Sequence, residues 1–113
     1  MDTVINKIVG MGVPGIMLLV AISMTGLSGA AAITAALALL GPGGMIGGII
    51  TLVAAGMIAS AISEYGFDMI FKSVINRMYE RGETRHSIIE KINKGPWSSK
   101  LKTKAISDLN RHS

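Results

Sequence analysis

The dominant feature of the hydrophobic pattern is an absence: from Ile8 to Ser63, 56 consecutive residues contain no Asp, Glu, Lys or Arg. A bilayer crossing needs roughly 20 apolar residues, so this stretch has room for two. Glycine and proline punctuate it. Residues 1–13 form a short head, either an interfacial helix or a frayed end, and Gly10, Gly12 and Gly15 around Pro14 place the first firm helix start near Pro14. From Pro14 to Leu40 the chain is apolar for 27 residues, about 40 Å if helical throughout. Thr25-Gly26-Leu27-Ser28-Gly29 interrupts that run and predicts a kink or break. Gly41-Pro42-Gly43-Gly44 predicts a tight, uncharged turn, and Met45 to Ser63 adds 19 residues, about 28 Å of helix.

Beyond Glu64 the pattern changes to amphipathic. Phe67, Ile70, Phe71, Val74, Ile75 and Met78 make one face of a helix over residues 65–81, with Asp68, Lys72, Asn76, Arg77, Glu80 and Arg81 opposite. Gly82 ends it. Thr84 is placed to cap a short helix carrying Ile88, Ile89 and Ile92, Gly95-Pro96 breaks that helix, and a last one from about Ser98 turns Leu101, Ala105 and Leu109 inward, with Trp97 at its mouth.

The fold class expected is therefore all-α: a membrane helical hairpin of two spans, the first kinked or broken near Gly26 to Gly29, followed by an amphipathic helix and a small basic helical tail. Residues 1–63 form the membrane-embedded region and residues 64–113 a cytoplasmic helical cap. Two alternatives stay open. If the break is complete, two helices of about 12 residues result, too short to cross separately, and they form a re-entrant pair or a buried cluster. The third arrangement is a compact soluble bundle, since all-helical bacteriocins hold uncharged helices inside a small soluble fold and this chain resembles them in composition.

Composition and charge narrow the function. Half of the 113 residues are hydrophobic, the formal net charge is +4 and there is no cysteine, which removes disulfides, thiol nucleophiles and cysteine-ligated metals. Residues 64–113 hold ten basic residues and six acids, so the positive-inside rule keeps that tail, and with two crossings both termini, cytoplasmic. Lys7, the apolar Ile16 to Ile22 and the small residues from Gly29 follow the order of a signal peptide, but Pro14 and nearby glycines argue against cleavage. Nucleic acid is not an expected partner, because the basic residues are interspersed with acids and the sole aromatic among the final lysines is Trp97. Glycines 41–48 lack the lysine and hydroxyl of a phosphate-binding loop. No nucleophile, base and orienting group share a meaningful spacing, so neither enzymatic activity nor a cofactor is expected. Glu64 and Asp68 lie one turn apart, but a solvated boundary, with Asp68 paired to Lys72, is the simpler reading. His86 and His112 have no metal-ligand partners by spacing and are expected to face solvent.

The clearest motif is a ladder of small residues four apart. Gly43, Gly47, Thr51, Ala55, Ala59 and Ser63 share one stripe; Gly26, Ala30, Thr34 and Ala38 share another. In lipid there is no hydrophobic force between helices, and close packing of small residues with hydroxyl hydrogen bonds takes its place. The stripes either hold the hairpin together or join identical copies into a homo-oligomer. The hydroxyls among them are expected to bond back to their own helix carbonyls, and without a charge at membrane depth any pore is poorly selective.

These stripes resemble the glycine-zipper helices of pore-forming and channel proteins, a resemblance of composition and spacing. In outline, with short length, a few apolar segments and a basic tail, the chain resembles phage holins and small membrane toxins or anti-phage effectors. The function these resemblances imply is a self-associating integral membrane protein that perturbs or permeabilises the bilayer. The alternative is a non-lytic membrane adaptor or immunity-type subunit, whose face of Phe67, Phe71, Val74 and Met78 docks a partner protein at the C-terminal tail.

Overall fold

A computed structural model of the chain describes residues 1–41 and 48–112, with the side chains of 48–51 left out. The described residues are all-helical: α1 (Asp2–Met11), α2 (Val13–Thr25), α3 (Gly29–Leu40), α4 (Gly48–Tyr65), α5 (Phe67–Glu80), α6 (Arg85–Lys94) and α7 (Ser99–Arg111). The Cα radius of gyration is 12.5 Å, close to the roughly 13 Å that chain-length scaling gives for a folded domain of this size.

The head is a formed helix. Val4, Ile5, Ile8 and Val9 of α1 are buried, the i, i+1, i+4, i+5 pattern of a helix that packs one face. Between α1 and α2 the chain turns by 119° at Gly12, which has φ 73°, and Pro14 then occupies the first turn of α2, where its missing N–H leaves no bond unmade. Gly15 permits the crossing, because a Cβ there would run into the carbonyl oxygen of Ile8.

The apolar run Pro14 to Leu40 is two helices. Thr25 directs its hydroxyl at the Ile22 carbonyl (2.8 Å) and accepts the Leu27 N–H (3.1 Å), while Gly26 ends α2 in the left-handed conformation, the usual glycine helix stop. α2 and α3 pack on each other. No single described helix is long and apolar enough to cross a membrane; α1 and α2 reach that length and composition only when taken together across their bend.

α2 is the centre of the molecule. Val13 and every residue from Gly15 to Ile22 are buried, and α1, α3, α4, α5, α6 and α7 all lie against it. A helix that is hydrophobic all round must be enclosed on all sides; here its own chain encloses it.

The amphipathic helix expected over residues 65–81 runs from Phe67 to Glu80, and Tyr65 is the last residue of α4. Gly66, at φ 86°, separates α4 from α5, a backbone conformation that side-chain-bearing residues rarely adopt. In the tail the expected stops and caps are present. The Thr84 hydroxyl accepts the Ser87 N–H (3.0 Å) and the Ser87 hydroxyl accepts the Thr84 N–H (2.9 Å), a reciprocal cap, and Ser98 accepts the Leu101 N–H (3.2 Å) at the start of α7. Leu101, Ala105 and Leu109 are buried, as the periodicity predicts.

Candidate functional site

The two small-residue stripes have opposite fates. Of the first, Gly43 and Gly47 lie outside the described residues, as does the side chain of Thr51; Ala55 and Ala59 are buried in the core, and Ser63 is exposed. Its middle therefore packs within the chain. On α3 the inner face is Ala32, Ala36 and Leu40, and the second stripe, Gly26, Ala30, Thr34 and Ala38, is exposed along its length. Thr34 donates its hydroxyl to the Ala30 carbonyl (3.1 Å), the back-bonding expected of helix threonines.

Because α3 and α4 carry small side chains, they leave open space beside them. A groove of about 590 Å³ runs between the start of α3 and the end of α4, lined by Gly29, Ala30, Ile33, Gly56, Ala59, Ser60, Ser63 and Glu64. Glu64, exposed at the mouth of this groove, is the first charge after the uncharged stretch. Leu27, Leu52 and Val53 are large apolar residues 54%, 50% and 54% exposed on the same helical hairpin and its leading turn.

The amphipathic face of α5 is occupied. Ile70, Phe71, Val74, Ile75 and Met78 are buried and Phe67 is half-buried, because α5 lies across α1, α2 and α4. A partner protein would have to displace those helices to reach it. Phe67 stacks at 5.3 Å on Phe71, and the Lys104 ammonium of α7 stands 6.0 Å from its ring centre.

Electrostatics gather at the α5–α7 contact. Asp68 does not engage Lys72; Oδ1 accepts from Arg111 (3.1 Å) and lies 3.2 Å from His112 Nε2. A tertiary partner on α7 has taken the place of the local one. His112 is accordingly not a solvent-facing residue: it stacks on Phe71 with ring centres 5.5 Å apart. His86, in contrast, is exposed, with Glu90 at 3.6 Å. Asp108, only 1% exposed, accepts from Lys104 (2.7 Å) and Arg111 (3.0 Å) through Oδ1, while its Oδ2 has no partner. Sequence reasoning missed this cluster, although Lys104, Asp108 and Arg111 sit at i, i+4 and i+7, one face of a helix. On α6, hydrogen bonds from Lys91 and then Ser87 hold the Glu83 carboxyl below its ordinary pKa, and Lys94 does the same for Glu90. Among the described residues no three His, Asp or Glu side chains stand close enough to hold a metal ion.

No family model matches the chain, and no curated protein or solved structure matches it either.

Proposed function

We propose that this chain is a small membrane protein that self-associates and perturbs or permeabilises the bilayer. The observation that carries the reading is the outer surface of α3 and α4. A helix that meets water in a globular protein ordinarily turns charged residues outward. Here Ala30, Ala31, Thr34 and Ala38 of α3, with Leu52, Val53, Ser60 and Ser63 of α4, are exposed without one charge among them. Such a surface meets hydrocarbon without desolvating an ion, and its small residues allow a second helix to approach closely. In this reading the exposed ladder on α3 is the assembly face and the α3–α4 groove is its seat. With no charge on these helices before Glu64, the assembled path has no selective ion site and passes small solutes without discrimination. The basic α5–α7 side then stays cytoplasmic.

Vesicles loaded with a self-quenched dye test this directly. The wild-type chain should release the dye, and Ala30→Leu/Ala38→Leu should float with the vesicles yet release little. Vesicle-bound wild type that releases nothing would remove the permeabilising reading.

A further inference from the structure

The polar ties of this molecule are divided unevenly, and the division follows the charge map. Within residues 67–112 the helices are cross-bonded: Arg111 and His112 of α7 meet Asp68 of α5, Arg85 of α6 donates to Asn110 of α7, and Lys102 of α7 donates to the Asn93 carbonyl of α6 at 2.8 Å. Toward α1–α4, among the described residues and with Asn110 set apart, one side-chain hydrogen bond crosses, from Arg77 to Asn6 of α1. Yet this is the boundary across which the apolar faces meet: α5 lies on α1, α2 and α4, and α6 and α7 lie on α2. The backbone linking the two parts passes through Gly66, which is exposed, has φ 86°, and has open space where a Cβ would stand.

Such a boundary responds to solvent. Apolar faces are held together because water is excluded from between them, and that force is lost where hydrocarbon replaces water. Asp68, Arg85, Asn93, Asn110 and Arg111, which make the bonds joining α5, α6 and α7, are exposed residues, so those bonds do not depend on burial against α2. Contact with a bilayer therefore loosens the seam between the two parts more than the bonds within α5–α7.

Resting on the membrane reading above, we infer that α5–α7 are a releasable cover: on contact with lipid they swing away from α2 about Gly66, and bilayer hydrocarbon takes their place on the uncovered face of α2. The amphipathic faces of α5 and α7 then lie at the headgroup level, where such helices are stable. Lipid is the occupant because the buried run of α2 from Ile16 to Ile22 offers only aliphatic side chains, Met17 and Ala21, with no donor or acceptor for a protein partner beyond the helix backbone.

The chain has no cysteine, so paired spin labels can be placed at will. Ala31→Cys/Lys100→Cys spans the seam from α3 to α7, and Ala31→Cys/Val53→Cys stays within α3–α4; all three positions are exposed. Distances are measured by pulsed electron resonance in buffer and on phosphatidylglycerol/phosphatidylethanolamine vesicles, with labelled protein diluted in unlabelled. The first distance should lengthen by at least about 10 Å, one helix diameter, while the second holds and far-UV circular dichroism shows helicity retained. Protein that floats with vesicles at an unchanged first distance overturns the cover and leaves the membrane reading standing. Lengthening of both distances with lost helicity means unfolding and also overturns it. Lengthening in concentrated lipid-free protein assigns the uncovered face to a second copy instead. Failure to float removes the membrane reading and the cover together.

Discussion

Gly15 and Glu83 show how much of this fold turns on single side chains. Gly15 lets α2 pack against α1 where a Cβ would meet the Ile8 carbonyl oxygen. Gly15→Ala should therefore cost about 1–3 kcal/mol, the usual penalty for forcing volume into a packed crossing, read as a lower midpoint in urea. At Glu83 the effect depends on pH. Lys91 at 2.7 Å and Ser87 at 2.7 Å stabilise its ionised form, so its folded-state pKa is lowered. A lowered carboxylate pKa adds stability above the unfolded-state pKa, and that stability is lost as pH falls through the folded value. The wild type should exceed Glu83→Gln by no more than about 1 kcal/mol at pH 7, given how exposed the pair is, and the two should converge below the ordinary carboxylate range. A difference that persists in strong acid would show that the carboxylate is not its source.

Helix by helix, the exposed ladder on α3 and the buried middle of the ladder on α4 allow the proposed assembly to be tested apart from folding. Ala55 is buried and Ala30 is exposed. Ala55→Leu should lower the melting temperature by overfilling the core, whereas Ala30→Leu should leave it unchanged and shift the protein from oligomer to monomer in detergent, measured by analytical ultracentrifugation. Equal effects of the two on melting would mean that the α3 stripe is also a packing face. Sequence periodicity resolved these elements well wherever a local signal set them: the stop at Gly82, the cap at Thr84, the break at Gly95-Pro96 and the buried face of α5 each depend on residues within one or two turns. What it could not resolve is tertiary. Whether Thr25 to Gly29 kinks a helix or ends it depends on α3 folding back onto α2. Asp68 exchanges its neighbour Lys72 for Arg111 because α7 returns to α5 from 43 residues away.

For the molecule as a whole, a pattern without charge has two solutions, since an all-apolar helix is enclosed by lipid or by protein. The described part of the 56-residue run read from the sequence as two spans lies in α1 to α4, with α1, α3 and α4 against α2 and α5–α7 completing the enclosure. The amphipathic face of α5, legible in the sequence as a surface for lipid, for a partner or for the rest of the tail, closes over α1, α2 and α4 instead. Both solutions leave the outer side of α3, and of α4 as far as Ser63, uncharged, with Glu64 the first exposed charge, and the proposed membrane-perturbing role rests on that surface. The most direct test is membrane potential in cells during controlled expression of the intact chain, followed with a voltage-sensitive dye alongside membrane fractionation. Rapid depolarisation is expected of the wild type, and its loss in Ala30→Leu/Ala38→Leu at equal abundance in the membrane. A potential that stays steady while the wild-type chain accumulates in the membrane would contradict it.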